Sequence, residues 1–386
     1  MPRNSAAVTF AFQKHWRVRP VGKNDFNSID EPGGLSVAPE DCIMQKGRPA
    51  HAGSMILEGF TSPVDAAVVS RLEESAFEIS NRTKMSEFGV ENIPFDGFGE
   101  VSEAVSLVKK GSVSFALCND VFGRYRCESA EQDICYIRPA YGTVSRYGLI
   151  PAVPSMDQIG VVCENPLKGF SLLEVIAGYD AKDGAMFPNE NYYYAKKDAC
   201  PRIVAAKDDI DIREFFNDSS VTNLKLEYFD VYDPVMYILT RAELSGSISR
   251  YDGIRFGRRA ADYAGLDELY LKTRTEMFSS KTKIAAVMGA FVLSHENYSL
   301  YYEKAMRIRR LIKESLRFDC YDVIAVSPGN PLAVLCGLPS ISFSYNKTGV
   351  QLVAEAGNEG ALLTAWASVF NGDTSKNSGN FSGRVK

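Results

Sequence analysis

Cys118, Cys127 and Ser129 lie in one short stretch of the chain, and each is of a type that attacks carbonyl carbons. A thiol or hydroxyl becomes a nucleophile only when a neighbouring base or cation generates its anion. The three histidines, His15, His51 and His295, stand far from that stretch, so these residues read as inert core groups. The eight cysteines form no C-x-x-C pair, which argues against a metal site and for free thiols in a reducing compartment. A second candidate is "YYEKAMRIRRLIKESLR", whose Lys304, Arg307, Arg309, Arg310, Lys313 and Arg317 make a cationic helix suited to RNA. Glu303 and Glu314 interleave with them, so the helix reads first as a solvated face. In "RYDGIRFG" (250–257), Arg250, Asp252 and Arg255 suggest a helix end held by Arg–Asp pairs and Gly253, with partner docking as the other reading.

The elements that must position these residues follow from hydrophobic period and punctuation. "SPVDAAVVSRLEESA" predicts a helix with Ser62 as N-cap and Pro63 in its first turn. "VSEAVSLVKKG" predicts a helix ending at Gly111, which feeds a buried strand at Val113 to Leu117. "NPLKGFSLLEVIAGYD" predicts another, capped by Asn165 and stopped at Gly178. "CPRIVAAK", "VTNLKLEYFD", "YDVIAVS", "SISFSY" and "VQLVAEA" read as strands, with helical patterns at 232–248, 266–278, 281–294 and 298–317. This alternation predicts an α/β fold, a mixed and largely parallel sheet covered by helices on both faces. Residues 1–33 read as an irregular N-terminal segment, 34–371 as the domain, and 372–386, polar and rich in glycine and serine, as a disordered tail. With 45% hydrophobic and 24% charged residues, 386 residues supply a large core, and the net charge of −5 disfavours broad nucleic-acid or membrane attraction. No signal peptide or 18-residue apolar run is apparent, so a soluble cytoplasmic protein is expected.

"YGTVSRYGLIPAVPSMDQIG" (141–160), "AGYDAKD" (177–183), "SRYDGIRFG", "GAFVLSHENYSLYYEKAMRIRRLIK" and "LCGLPSISF" occur in one order. With "MILEGFTSPVDAAVVSRLEES" and "RTKMSEF" before them, they resemble the amidase-signature family, and within it the A-subunit branch of the glutamyl/aspartyl-tRNA amidotransferases. The resemblance implies an α/β/α fold and amide hydrolysis by a Ser–cis-Ser–Lys triad with a glycine-rich oxyanion loop.

Laid on this chain, the family pattern puts Glu40 at the lysine, Glu100 at the bridging serine and Arg124 at the nucleophile. Of the glutamine pocket it leaves Tyr237. The pocket arginine's place falls near Ala285, and the acidic residue belongs to a stretch missing between "VSPGN" and "PLAVLCGLP". The expectation is an amidase-like pseudoenzyme with no cofactor and no metal. It would act as a subunit, scaffold or regulator among protein partners such as relatives of the B and C subunits, meet RNA only through a complex, and have no membrane role. The alternative is a glutamine-hydrolysing A-type subunit or a rewired amide hydrolase. Arg124 is expected to bridge Glu40 or Glu100 and close the cleft.

Overall fold

The computed structural model describes residues 35–75, 77–91, 100–189, 192–196, 199–213 and 221–367. The expected N-terminal segment 1–33 and tail 372–386 lie outside these residues. The strands are β1 Ser36–Pro39, β2 Glu78–Ile79, β3 Phe115–Asn119, β4 Cys135–Arg138, β5 Ile159–Cys163, β6 Ile203–Ala206, β7 Thr222–Leu224, β8 Val323–Val326, β9 Ser340–Tyr345 and β10 Thr348–Ala354. The first five helices are α1 Ala67–Glu73, α2 Glu103–Lys109, α3 Arg124–Glu131, α4 Pro166–Ile176 and α5 Ile210–Arg213. The rest are α6 Tyr232–Ile248, α7 Leu266–Met277, α8 Ser280–Leu293, α9 Tyr302–Ser315 and α10 Leu332–Cys336.

One mixed sheet runs in the order β2-β1-β3-β5-β4-β9-β10-β8-β6-β7. Pairing is parallel at both flanks, β2 with β1 with β3 and β8 with β6 with β7. It is antiparallel through the middle, from β3 across β5, β4, β9 and β10 to β8. Side chains alternate between its faces, as a strand's period of two requires. Val37, Phe115, Leu117, Val161 and Cys163 join α1 and α4 through Leu72, Phe170 and Leu173. Their neighbours Ala38, Ala116, Cys118, Tyr136 and Val162 join α2 through Ala104, Val105 and Val108. Helices therefore cover both faces, as expected.

The predicted helix at Ser62 starts later, at Ala67 after an Ala66 cap. Ser62 is held outside it: its N–H donates to the Arg48 carbonyl and its own carbonyl accepts from Gly47 N–H, both at 2.9 Å. This pairing keeps the chain extended where local sequence favours a helix start. Asn165 caps α4 as expected, accepting from Lys168 N–H at 3.1 Å, and Ser102 caps α2, accepting from Val105 N–H at 3.4 Å.

Candidate functional site: a charged network around α3

β3 ends at Asn119, and the loop Asp120–Gly123 carries the chain into α3. Gly123 takes φ +102°, a backbone setting side chains rarely adopt, and it turns the first residues of α3 back over the end of the sheet. Asp120 holds this loop closed. Its Oδ1 accepts from Gly123 N–H at 2.8 Å and its Oδ2 from Arg126 N–H at 3.1 Å. The buried Arg126 guanidinium lies 3.5 Å from the same carboxylate and donates through Nε to the Pro328 carbonyl at 2.6 Å.

Three successive residues of α3 then serve four different acids. Arg124 Nε donates to Glu128 Oε1 at 2.8 Å, and its Nη1 to Glu91 Oε1 at 3.2 Å. Tyr125 donates to Glu40, and Arg126 serves Asp120. The expected bridge from Arg124 to Glu40 or Glu100 is not the one formed: Arg124 reaches Glu100 only at its backbone carbonyl, at 2.8 Å. Glu100 is exposed, whereas Glu128 sits one helical turn from Arg124 and is fully buried. A buried carboxylate beside a cation on the same helix outcompetes one that water already solvates.

Glu40, at the end of β1, is fully buried in a nest of its own. It accepts from Asn119 N–H at 2.9 Å, from Cys42 Sγ at 3.3 Å and from the Tyr125 hydroxyl. Burial pushes its carboxyl up to about 7 against the pull of those three donors, and nearby Asp120 adds to the rise. Burial also pushes the Cys42 and Cys118 thiols well above their ordinary value and Cys127 up to about 12. Ser129 Oγ is buried without a hydrogen-bond partner. Cys42 has the Glu40 carboxylate and Cys127 the Arg126 cation beside it, but burial outweighs both and keeps the thiols protonated.

Tyr237 lies half-buried on α6, one turn before Arg241, whose guanidinium stacks 4.9 Å over the Tyr237 ring and 5.3 Å over Phe122. Arg241 Nη2 donates to the Glu91 carbonyl at 2.8 Å, and Lys281 Nζ to Glu91 Oε2 at 2.8 Å. Ala285 is fully buried on α8. Glu91, Glu128 and Arg241 thus organise this region, and no motif in the sequence singles out any of the three. Only the i,i+4 spacing of Arg124 and Glu128 on a helix signals one of them.

The motif segments after β4 and after α4 serve a structural purpose here. Arg146 clasps Asp183 through Nε at 2.8 Å and Nη2 at 2.6 Å, and Ser145 Oγ donates to Asp180 at 2.7 Å, tying "VSRYG" to "AGYDAKD". In "RYDGIRFG" the expected Arg–Asp pairs do not form. Asp252 accepts from the N–H groups of Ile254 and Arg255, Arg250 Nε donates to the Ser247 carbonyl, and Gly253 takes φ +73°. The short loop lets Asp252 satisfy its own backbone before either guanidinium reaches it. On α9, Arg307 pairs with Glu303 and Arg310 with Glu314, while Arg309 is bound to the Leu335 carbonyl and Ser155. Among the described residues no group of three His, Cys, Asp or Glu is placed to hold a metal ion, and no helix is long and apolar enough to cross a membrane.

This arrangement of sheet and helices is the fold of the amidases. The A subunit of glutamyl-tRNA(Gln) amidotransferase from Thermotoga maritima superposes with a TM-score of 0.67 over 90% of this chain and 85% of its own, at 23% identity. The peptide amidase of Stenotrophomonas maltophilia gives 0.67 over 86% and 82%, at 18% identity. The Amidase family model matches residues 217–336. The glutamyl-tRNA(Gln) amidotransferase A subunit of Lachnoclostridium phytofermentans is 34% identical over 344 residues, covering 79% of this chain and 69% of the relative. That of Chlorobium luteolum is 32% identical over 349 residues, covering 78% and 70%. The chain belongs to the amidase family and is similar to its amidotransferase A subunits.

Proposed function

We propose that this protein is a non-catalytic member of the amidase family, working in the cytoplasm as a subunit, scaffold or regulator within a protein assembly. The observation that carries the reading is the state of the loop before α3. Amide hydrolysis needs a nucleophile at the cleft and free N–H donors for the oxyanion. Here Arg124 occupies the position that the family pattern gives to the nucleophile and is engaged by Glu128 and Glu91. The Gly123 and Arg126 N–H groups are already donated to Asp120. Glu40 and Glu100, at the other two triad positions, supply neither the relay lysine nor the bridging serine.

Partners related to the amidotransferase B and C subunits fit the similarity to A subunits, and RNA would then be met through the complex. The internal pairing of Arg307 and Arg310 on α9 supports that division of labour. The test is ammonia release from glutamine, asparagine and aryl amides, by the chain alone and co-expressed with its genomic neighbours. No release above a boiled control is expected. Turnover that disappears in Arg124→Ala would overturn the reading and favour a rewired hydrolase. Turnover appearing only with a partner would favour an A-type amidotransferase chain.

A further inference from the structure

The loop after α6 is held by its own hydrogen bonds yet leaves apolar side chains in water. Asp252 Oδ1 accepts from Ile254 N–H at 2.8 Å and Arg255 N–H at 3.0 Å, and Gly253 N–H donates to the Phe256 carbonyl at 3.0 Å. Arg259 Nε braces the turn on the Gly253 carbonyl at 2.6 Å. Gly257, at φ +87°, lies so close to Ile56 that a Cβ would sit 2.9 Å from its side chain, and Arg258 N–H donates to the Ile56 carbonyl at 2.6 Å. Despite this fixation Ile254 is 43% and Phe256 57% exposed.

Between this loop and the segments around Ile56 and Leu149 runs a groove of ≈ 920 Å³, walled by Met44, Phe60, Leu149, Ile150, Tyr251 and Phe256. Arg250, Arg255 and Arg258 also line it. Arg258 is paired with Glu58. Among the described residues neither Arg250 nor Arg255 forms an ion pair with a carboxylate, in a chain whose net charge is −5. On α9, by contrast, Arg307 and Arg310 are neutralised by glutamates on their own helix.

We propose that this groove docks an acidic, apolar-anchored segment of a partner polypeptide. Large apolar side chains of the segment fill the groove against Phe60 and Phe256, while its Asp or Glu residues pair with Arg250 and Arg255. Three features select this occupant. Apolar exposure extends past the groove to Met55 and Ile254, a longer footprint than a small ligand uses. An aromatic beside arginine is the composition of interface anchors. A pre-set loop avoids the ordering cost that weakens docking to mobile surfaces. The inference rests on the partner-binding reading above and supplies the chemistry of one partner.

The probes are two sets of short fluorescein-labelled peptides with the same Leu and Phe anchors, flanked by Asp and Glu in one set and by Lys in the other. Anisotropy titrations of the full chain should show the acidic set binding roughly tenfold or more tightly than the lysine set. Phe256→Ser should weaken that binding by about tenfold or more. Arg250→Glu with Arg255→Glu should reverse the charge preference, with melting temperatures unchanged in both variants. Equal binding of the two sets, no binding of either, or indifference to Phe256→Ser would overturn the proposal. So would a concentration-dependent dimer that Phe256→Ser dissolves, which would assign the groove to a second copy. Ammonia release in the hydrolysis assay would sink the non-catalytic reading while leaving charge-selective capture standing. Absence of capture without ammonia release would sink the groove alone.

Discussion

Around α3 the polar groups turn inward on one another. Asp120 takes Gly123 and Arg126, Glu128 and Glu91 take Arg124, and Glu40 takes Tyr125. Beside Phe256 the pattern reverses: Asp252 is bound to backbone, no carboxylate among the described residues pairs with Arg250 or Arg255, and apolar side chains meet solvent. A buried charge network contributes little net stability but makes each member costly to remove. An exposed apolar rim contributes little to the fold and can be changed cheaply. Substitutions at the two places should therefore separate stability from binding.

The largest effect is expected at Asp120. Asp120→Ala leaves the buried Arg126 guanidinium without its carboxylate and frees two backbone N–H groups, a loss of about 4 kcal/mol in urea unfolding. A loss within about 1 kcal/mol would mean that water fills the loop and that it is not closed.

Glu40 gives a pH signature of about 3 kcal/mol at most, from a carboxyl raised from 4.5 to about 7. The folded state binds this proton more tightly than the unfolded chain. Its contribution is therefore fully present below about pH 4.5 and is lost as pH rises through about 7. Glu40→Gln should flatten the stability profile between pH 5 and 8 and raise the wild-type value at the alkaline end. An unchanged profile, followed by urea melts across that range, would show that Glu40 titrates normally.

Arg124→Ala comes next. The side chain is 23% exposed, so water softens the loss of its pairing to the buried Glu128 and Glu91, and about 2 kcal/mol is expected. Arg124→Ser should cost a similar amount and, on the proposed non-catalytic reading, release no ammonia from glutamine. Activity in that single variant would show the relay to be intact in another form.

The alternating strands and long helices are legible because apolar period survives whatever happens to chemistry: Asn165 caps α4, and α6 and α7 fall within a residue of their predicted limits. The family resemblance is legible through "VSRYG" and "AGYDAKD", whose Arg146–Asp183 clasp holds the fold and does not depend on catalysis. α3 is legible only in part: Ser129 is buried as its core reading expects, but nothing in the charged string "RYRCESAE" announces that Arg126 and Glu128 are buried with it, Arg126 against Asp120 and Pro328 and Glu128 against Ser102 and Arg124. For the same reason sequence reasoning assigns Arg124 to Glu40 or Glu100. A family pattern names the positions that catalytic groups occupy, but desolvation and helix geometry decide which acid a guanidinium takes.

The smallest expected effect on stability lies at the groove, and it sharpens the contrast most. Phe256→Ser removes a ring that is 57% exposed, and the Asp252 and Gly253 hydrogen bonds that shape the loop do not involve that ring. Unfolding free energy should therefore shift by no more than about 0.5 kcal/mol, with either sign. A loss of about 2 kcal/mol or more would mean that Phe256 packs into the core of the free protein, as a buried aromatic does, and would remove the distinction between the two regions. If stability holds while acidic-peptide capture falls, the groove acts in binding alone, and the charged network around α3 and the open rim are separable parts of one fold.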